Sequence, residues 1–430
     1  KSVSHRALMI GALSVGETKI FGLLEGNDVL ATARALTTLG AQVKRLEDGS
    51  WQMFGCGIGG LAAPPDVIDM GNSGTGVRLL MGLLACQPMT VVLTGDASLR
   101  SRPMARIMTP LKQMGVAFTA AEGGRLPLTI IAPNELVPIR YHSPVASAQI
   151  KSAILLAGLG APGKTTVVEA IPTRDHTERL LLQFGAELHV EENSNDGRTI
   201  TLTGQPEFNG QTVIIPADIS SASFPLVAAL LAPEAEVRIE EVGINPLRSG
   251  ILETLLEMGA DIAKENTNDA KGEPVADLIV KASRLKGVNV PAERAASMID
   301  EYPILAVAAA AAEGTTRMEG LKELRVKESD RLALIATGLK ASGVEVEETE
   351  DSLVIYGAGN MPAGGVTIDA MNDHRIAMSF LVLGTVSKAP IQVLGAETIA
   401  TSFPNFRCLM NRLGADMRID NSSDNKDGAI

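Results

Sequence analysis

Six times along the chain a polar, often basic cluster runs straight into an apolar, alanine-rich stretch of helical length, which ends in a small-residue turn and a strand-like run. The clusters are KSVSHR at Lys1, GNSGTGVR at Gly71, SPVASAQIK at Ser143, DISSASF at Asp218, SMIDEYP at Ser297 and NDHRIAM at Asn372. An amphipathic segment follows each and closes on a glycine, at Gly40, Gly115, Gly185, Gly259, Gly343 and Gly414, as in LLEMGADI. These glycines lie about 70 to 84 residues apart, so the chain is an array of six similar units. Each helix start presents unpaired backbone N–H groups and roughly half a positive charge, and several of them can be aimed at shared anions.

The second unit gives the template. Its pattern predicts strand Val67 to Met70, helix about Thr75 to Cys86, strand Thr90 to Thr94, helix about Met104 to Met114, and strands Val116 to Ala120 and Leu126 to Ile131, in the order βαβαββ. The first helix of each unit is apolar nearly all round, the mark of a buried helix. The second is amphipathic, and its closing glycine reads as a left-handed C-cap. The expected fold is therefore α/β, with six βαβαββ repeats, three per domain, apolar helices buried and sheets outside. The boundary is expected near Ile215 and Pro216, giving domains 1–215 and 216–430 that face each other across a polar cleft. Five clusters follow a strand-like run, for example GQTVIIP before Asp218, whereas KSVSHR has none before it. The reading therefore expects a further strand upstream of Lys1.

Hydrophobic residues make up 45% of the chain and aromatics only 3%, which calls for cores of Ala, Val, Leu and Ile in close-packed elements. Disorder is not expected outside the polar tail from about Asn421. With 38 Lys plus Arg against 50 Asp plus Glu, the net charge of -12 argues against nucleic acid or an anionic membrane as a partner. The three cysteines, Cys56, Cys86 and Cys408, are too few and too scattered for a disulfide framework or a metal motif, and a reducing cytoplasm is the simplest setting. Apolar runs such as YPILAVAAAAA reach only about 12 residues, short of the roughly 18 to 20 needed to cross a bilayer.

Several local patterns carry chemistry. GLGAPGKT at Gly158 to Thr165 matches a phosphate loop by its letters, but a phosphate loop leads from strand to helix, and here a helix precedes it and a strand follows. It reads as a helix end and turn. GNSGTGVR puts glycines and small hydroxyls before a helix, as an N-cap or as an anion cradle. LRVKESDR gathers Arg325, Lys327, Glu328, Asp330 and Arg331, with Glu328 and Arg331 at i, i+3, either as a solvated charge run or as a carboxylate held among cations. Asp300 and Glu301 stand at the start of an apolar helix, where the helix dipole alone favours acids. Asp373, His374 and Arg375 start another, and His374 reads as a base or as a structural histidine. Arg174 and Arg179 of RDHTER, with Arg102 of LRSRPM, complete the basic set.

Taken in order, KSVSHR, GNSGTGVR, GDASLRSRPM, ASAQIKSAILLAG, TRDHTE, DISSASFPLVAALL, SMIDEYPILAVAAA, LRVKESDR, NDHRIAMSF and ATSFPNF resemble the 5-enolpyruvylshikimate-3-phosphate synthase family over nearly the whole chain, and SAQIK with RDHTE resembles its class II branch. The resemblance implies a two-domain inside-out α/β fold and transfer of an enolpyruvyl group from phosphoenolpyruvate to the 5-hydroxyl of shikimate 3-phosphate. It implies no metal and no organic cofactor. A monomer is expected. By the resemblance, Lys1, Ser2, Arg6, Ser147, Ala148, Gln149, Arg174, Asp300 and Lys327 would hold shikimate 3-phosphate. Lys1, Gly74, Arg102, Gln149, Glu328, Arg331 and Arg375 would surround phosphoenolpyruvate. Glu328 would protonate the methylene carbon, Asp300 would take the proton of the hydroxyl, and Lys1 would assist as an electrostatic and proton-transfer partner.

The chain departs from the family pattern at Leu247, where threonine is usual in that branch, and at Glu397, where some members carry a phosphate-binding lysine. At the position of Gly74 some relatives carry alanine together with tolerance of the inhibitor glyphosate. Two other functions remain in view. The sister enolpyruvyl transferase acting on UDP-N-acetylglucosamine resembles a Lys-Asn start with a reactive loop cysteine. Here Lys1 is followed by Ser2, and the Asp96 to Met104 loop has no cysteine. A non-catalytic anion-binding scaffold would need the arginines but neither Asp300 nor Glu328.

Overall fold

In the computed structural model the described residues are 1–193, 197–269 and 272–419, so the tail from Asn421 lies outside them. The chain divides into two compact units, Lys1–Ile215 and Pro216–Ile430, each with its own hydrophobic core. The second repeat runs as Ile68–Asp69, Gly74–Ala85, Thr90–Thr94, Ala105–Gln113, Ala117–Ala121 and Arg125–Ile131, which is the expected order. One element was not foreseen: the expected loop after Thr94 contains a short helix, Ala97–Ser101, capped by Asp96, whose carboxylate accepts the Leu99 N–H at 2.7 Å.

The cluster-led helices are buried on nearly every side, as their composition requires. In Gly74–Ala85 the four leucines Leu79, Leu80, Leu83 and Leu84 are wholly inaccessible, each contributing about 1.5 to 3 kcal/mol of transfer free energy. Ser2–Ala12 and Ala148–Gly158 share the first unit's core, and Ile219–Leu231, Tyr302–Ala311 and His374–Val386 form that of the second. The strands alternate instead: along Arg125–Ile131, Leu126, Leu128 and Ile130 are buried while Arg125 and Ile131 face out. All six landmark glycines, from Gly40 to Gly414, have φ between +84° and +101°, the left-handed geometry that ends a helix without a Cβ clash. The helix Ala148–Gly158 ends where GLGAPGKT begins and the strand Lys164–Glu169 starts within it, so those letters make a helix end and a turn.

Among the described residues the first unit has three four-stranded sheets. In one of them the run at GQTVIIP, read from the sequence as the lead-in to the fourth cluster, turns back. Its strand Thr212–Ile214 pairs in parallel with Glu17–Phe21, Lys19 opposite Thr212 and Phe21 opposite Ile214. It therefore completes the first repeat's sheet, because its alternating apolar side chains, such as buried Val213, continue the core face of that sheet.

The second unit departs from six uniform repeats. Among the described residues its sheets have three, four and two strands. In the sixth repeat, among the described residues, Thr367–Asp369 pairs with Gln392–Leu394. Met417 tucks into the core, 5% exposed, and Asn411 grips its backbone through both N–H and carbonyl at 2.9 Å.

Candidate active site

Each unit gathers its share of the candidate residues at helix starts. In the first, Lys1 and Ser2 begin the helix Ser2–Ala12, and the Lys1 ammonium pairs with Asp28. One turn on, Arg6 is 2% exposed. Its Nε donates to Thr177 Oγ1 at 2.6 Å, Nη2 to Ser152 Oγ at 2.7 Å and Nη1 to the Ser2 carbonyl at 3.0 Å. Ser147 is the N-cap of Ala148–Gly158, and Gln149 sits in that first turn. Arg174 is half-buried just ahead of the helix His176–Gln183.

A second group surrounds the start of Gly74–Ala85. Arg102 is anchored through Nη2 to Asn72 Oδ1 at 2.7 Å and to Ser98 Oγ at 2.9 Å. Gln149 receives Arg78 Nη1 at 3.3 Å and donates to Thr75 Oγ1 at 3.1 Å. A Cβ on Gly74 would lie 2.9 Å from Arg102 Nη1 and 3.4 Å from Arg78 Nη1. Gly74, Arg102 and Gln149 thus converge on one helix N-terminus, a ready anion site. Arg78 belongs to this group and was not singled out from the sequence. Its signal was its place as the last letter of GNSGTGVR, one turn beyond Gly74 and therefore on the same helix face.

The Gly74 geometry leads to an expected result. In Gly74→Ala the new methyl group must displace the Arg102 guanidinium by a few tenths of an ångström. An anion seated at this helix start should bind several-fold more weakly, about 1 kcal/mol, with thermal stability unchanged because alanine favours a helix. Titration with inorganic phosphate, alongside a melting curve, checks it.

In the second unit Arg331 is the hub, 1% exposed at its side chain. It donates through Nη2 to Glu328 at 2.5 Å, through Nη1 to Asp300 at 3.4 Å and through Nε to Asp373 at 2.8 Å. Burial alone would depress this guanidinium, but the carboxylates of Asp373, Glu328 and Asp300 outweigh it and hold it above its ordinary value. Lys327 also reaches Asp300, at 3.4 Å. LRVKESDR therefore divides in two. Lys327, Glu328 and Arg331 join the site, while Asp330 caps the helix Arg331–Ala341 and pairs with Arg325 at 2.9 Å, which also holds Glu348 at 2.8 Å.

Arg375 donates to the Asp300 carbonyl at 2.9 Å and to Ser220 Oγ at 2.5 Å. Both meet at Glu301, a carboxylate with no exposure that accepts from Ser220 and forms a fork with Arg248, whose Nη2 lies 2.7 Å away. Glu301 and Arg248 organise Arg375 and the backbone beside Asp300. Sequence reading assigned Glu301 only to the helix dipole, since its partner Arg248 comes from a distant segment. His374 is 5% exposed, with Nδ1 3.5 Å from Thr401 Oγ1, a structural position. Glu397 is exposed in the short helical turn Ala396–Thr401. Leu247 lies in a turn closed by its N–H on Asn245 Oδ1 at 3.0 Å. Among the described residues no group of three or more His, Cys, Asp or Glu could hold a metal ion, and no helix is long and apolar enough to cross a membrane.

Each unit thus packs buried helices under outer sheets, with cationic helix starts in both units and paired carboxylates in the second. An enolpyruvyl transferase from Streptomyces tendae shares the fold, with a TM-score of 0.75 over 97% of this chain and 94% of its own at 17% identity. The chain belongs to the EPSP synthase (3-phosphoshikimate 1-carboxyvinyltransferase) family, whose model matches residues 1–410. It is 61% identical over 421 residues to the 3-phosphoshikimate 1-carboxyvinyltransferase of Paramagnetospirillum magneticum, covering 98% of this chain and 94% of the relative. It also matches EPSP synthase from Acinetobacter baumannii with a TM-score of 0.85 and 47% identity, over 96% of this chain and 94% of that one.

Proposed function

We propose that the chain condenses phosphoenolpyruvate with the 5-hydroxyl of shikimate 3-phosphate and releases phosphate, by addition and then elimination. One observation carries this reading: two carboxylates, Asp300 and Glu328, share a single buried guanidinium, 3.4 and 2.5 Å from Arg331. A scaffold that merely bound anions would gain nothing from acids at that place. An acid and a base working in one reaction need them there.

In the addition step Glu328 gives its proton to the methylene carbon of phosphoenolpyruvate. The hydroxyl oxygen bonds to C2, and Asp300 takes the hydroxyl proton. In the elimination step the C2–O bond to phosphate breaks and the Glu328 carboxylate recovers a proton from the new methyl group, restoring the double bond. The proton on Asp300 ends on the departing phosphate, with Lys1 as electrostatic and proton-transfer partner. Shikimate 3-phosphate is held by Lys1, Ser2, Arg6, Ser147, Ala148, Gln149, Arg174, Asp300 and Lys327. Phosphoenolpyruvate is held by Lys1, Gly74, Arg102, Gln149, Glu328, Arg331 and Arg375. Two phosphates and two carboxylates repel one another strongly, and these cations and helix starts offset that repulsion.

Neither unit carries the full set, so the reaction draws on both. Both sets lie on one chain, which supports a monomer as the working form. Cys56, Cys86 and Cys408 are free thiols, which supports the reducing cytoplasm as its setting. The test is phosphate release from phosphoenolpyruvate with each acceptor in turn. Shikimate 3-phosphate should support turnover and UDP-N-acetylglucosamine should not. Binding of both substrates without phosphate release would point to the anion-binding scaffold instead.

A further inference from the structure

We infer that Lys151, with Glu169, is a positioning residue for shikimate 3-phosphate that acts through Arg174, an inference that rests on the reading of Arg174 given above. Lys151 is 1% exposed, and its ammonium satisfies all three of its N–H donors within the first unit. It meets Glu169 Oε2 at 2.9 Å, Glu178 Oε1 at 2.7 Å and the Thr173 carbonyl at 3.1 Å. An apolar side chain of similar volume would spare the desolvation of a buried charge, so stability alone does not call for lysine here. What lysine adds is geometry.

Two of its three acceptors bracket Arg174. Thr173 comes immediately before it, and Glu178 lies in the first turn of the helix after it. Glu169 fastens the same stretch a second time, accepting the Thr173 N–H at 3.4 Å and the Thr173 hydroxyl. Lys151 itself stands four residues after Ser147, on the same face of that helix and one turn deeper. The Lys151–Glu169 pair therefore fixes the distance between the Ser147–Gln149 helix start and Arg174. Arg6 makes a second tie between the same two helices, through Ser152 and Thr177. Burial would lower the Lys151 ammonium, but the Glu178 and Glu169 carboxylates outweigh it and hold it above its ordinary value, so the tie keeps its charge at neutral pH.

Gln149 is held from its other side by Arg78 and Thr75, and Gly74 and Arg102 share none of the Lys151 bonds, so the effect falls mainly on Arg174 and shikimate 3-phosphate. In steady-state assays of the full chain, Lys151→Met should raise the KM for shikimate 3-phosphate about tenfold and that for phosphoenolpyruvate less than about twofold. Arg174→Ala should raise the KM for shikimate 3-phosphate by itself, and adding Lys151→Met to it should change little further, as a double-mutant cycle requires of residues acting through one another. An unchanged KM, equal effects on both substrates, or full additivity with Arg174→Ala would overturn the inference. Should Lys151→Met fail to fold, Thr173→Val loosens the same tie more gently. It should give a several-fold rise in the same KM that vanishes in the Arg174→Ala background, and no rise would equally overturn the proposal. If Arg174→Ala alone leaves the KM for shikimate 3-phosphate unchanged, the assignment of Arg174 fails and this inference falls with it.

Discussion

Glu328→Gln should lower turnover by about two to four orders of magnitude, the usual worth of a positioned proton donor, while both substrates still bind. The substitution preserves shape and leaves an amide oxygen to accept the Arg331 Nη2–H that Glu328 now receives at 2.5 Å. What it removes is the transferable proton. Without it, the methylene carbon cannot be protonated as the hydroxyl attacks C2, so the loss falls on kcat. Calorimetric titration with each substrate, set beside the rate of phosphate release, separates binding from chemistry. A glutamine variant turning over at the parental rate would remove Glu328 from the role of acid. A variant that also lost binding would make Glu328 a ligand first.

Asp373→Asn should strongly destabilise the second unit, costing about 3 to 5 kcal/mol and lowering the melting temperature by roughly 6 to 20 °C. Asp373 has no exposure and accepts four hydrogen bonds. Arg331 Nε at 2.8 Å and Ser329 Oγ at 2.9 Å reach Oδ2, while Arg331 Nη2 at 3.3 Å and the Arg375 N–H at 2.9 Å reach Oδ1. An amide can accept through only one of those two atoms and leaves a buried guanidinium short of charge. Burial would raise the Asp373 carboxyl, but Arg331 and the hydrogen bonds outweigh it and hold the group below its ordinary value. A carboxyl depressed in the folded state contributes stability that is fully present above its unfolded value, near about 3.9, and is lost as pH falls through the folded one. The parent should therefore lose melting temperature more steeply below about pH 4 than Asp373→Asn does. Parallel acid slopes would mean that Asp373 is not the group responsible.

The repeat and the helix ends could be read from the letters because each rests on local rules, whereas the set of candidate residues came from the family resemblance. A glycine after an amphipathic run means a left-handed cap, and an alanine-rich helix without a polar face must be buried. The structure brings Gly74, Arg102 and Gln149 to one helix start and gathers Asp300, Lys327, Glu328 and Arg331 around another. What escaped was decided by partners far apart in sequence. Glu301 looked like an ordinary acid at a helix start until Arg248 and Ser220 closed on it. Thr212–Ile214 looked like the lead-in to Asp218, since nothing in its own residues says which sheet it will join. Arg78 was visible but lay one turn past the glycines that drew attention.

That returning strand has a consequence for how the protein is made. Thr18 and Gln211 are bonded across 193 residues of chain, so the sheet begun by the first repeat stays unfinished until the third repeat has been synthesised. At about 5 to 20 residues per second, that leaves the edge of Glu17–Phe21 unpaired for roughly ten to forty seconds on the ribosome. Until then its free backbone groups are a template for the wrong strand. The sheet begun by the first repeat therefore reaches its native strand order only as the last strand of the unit emerges.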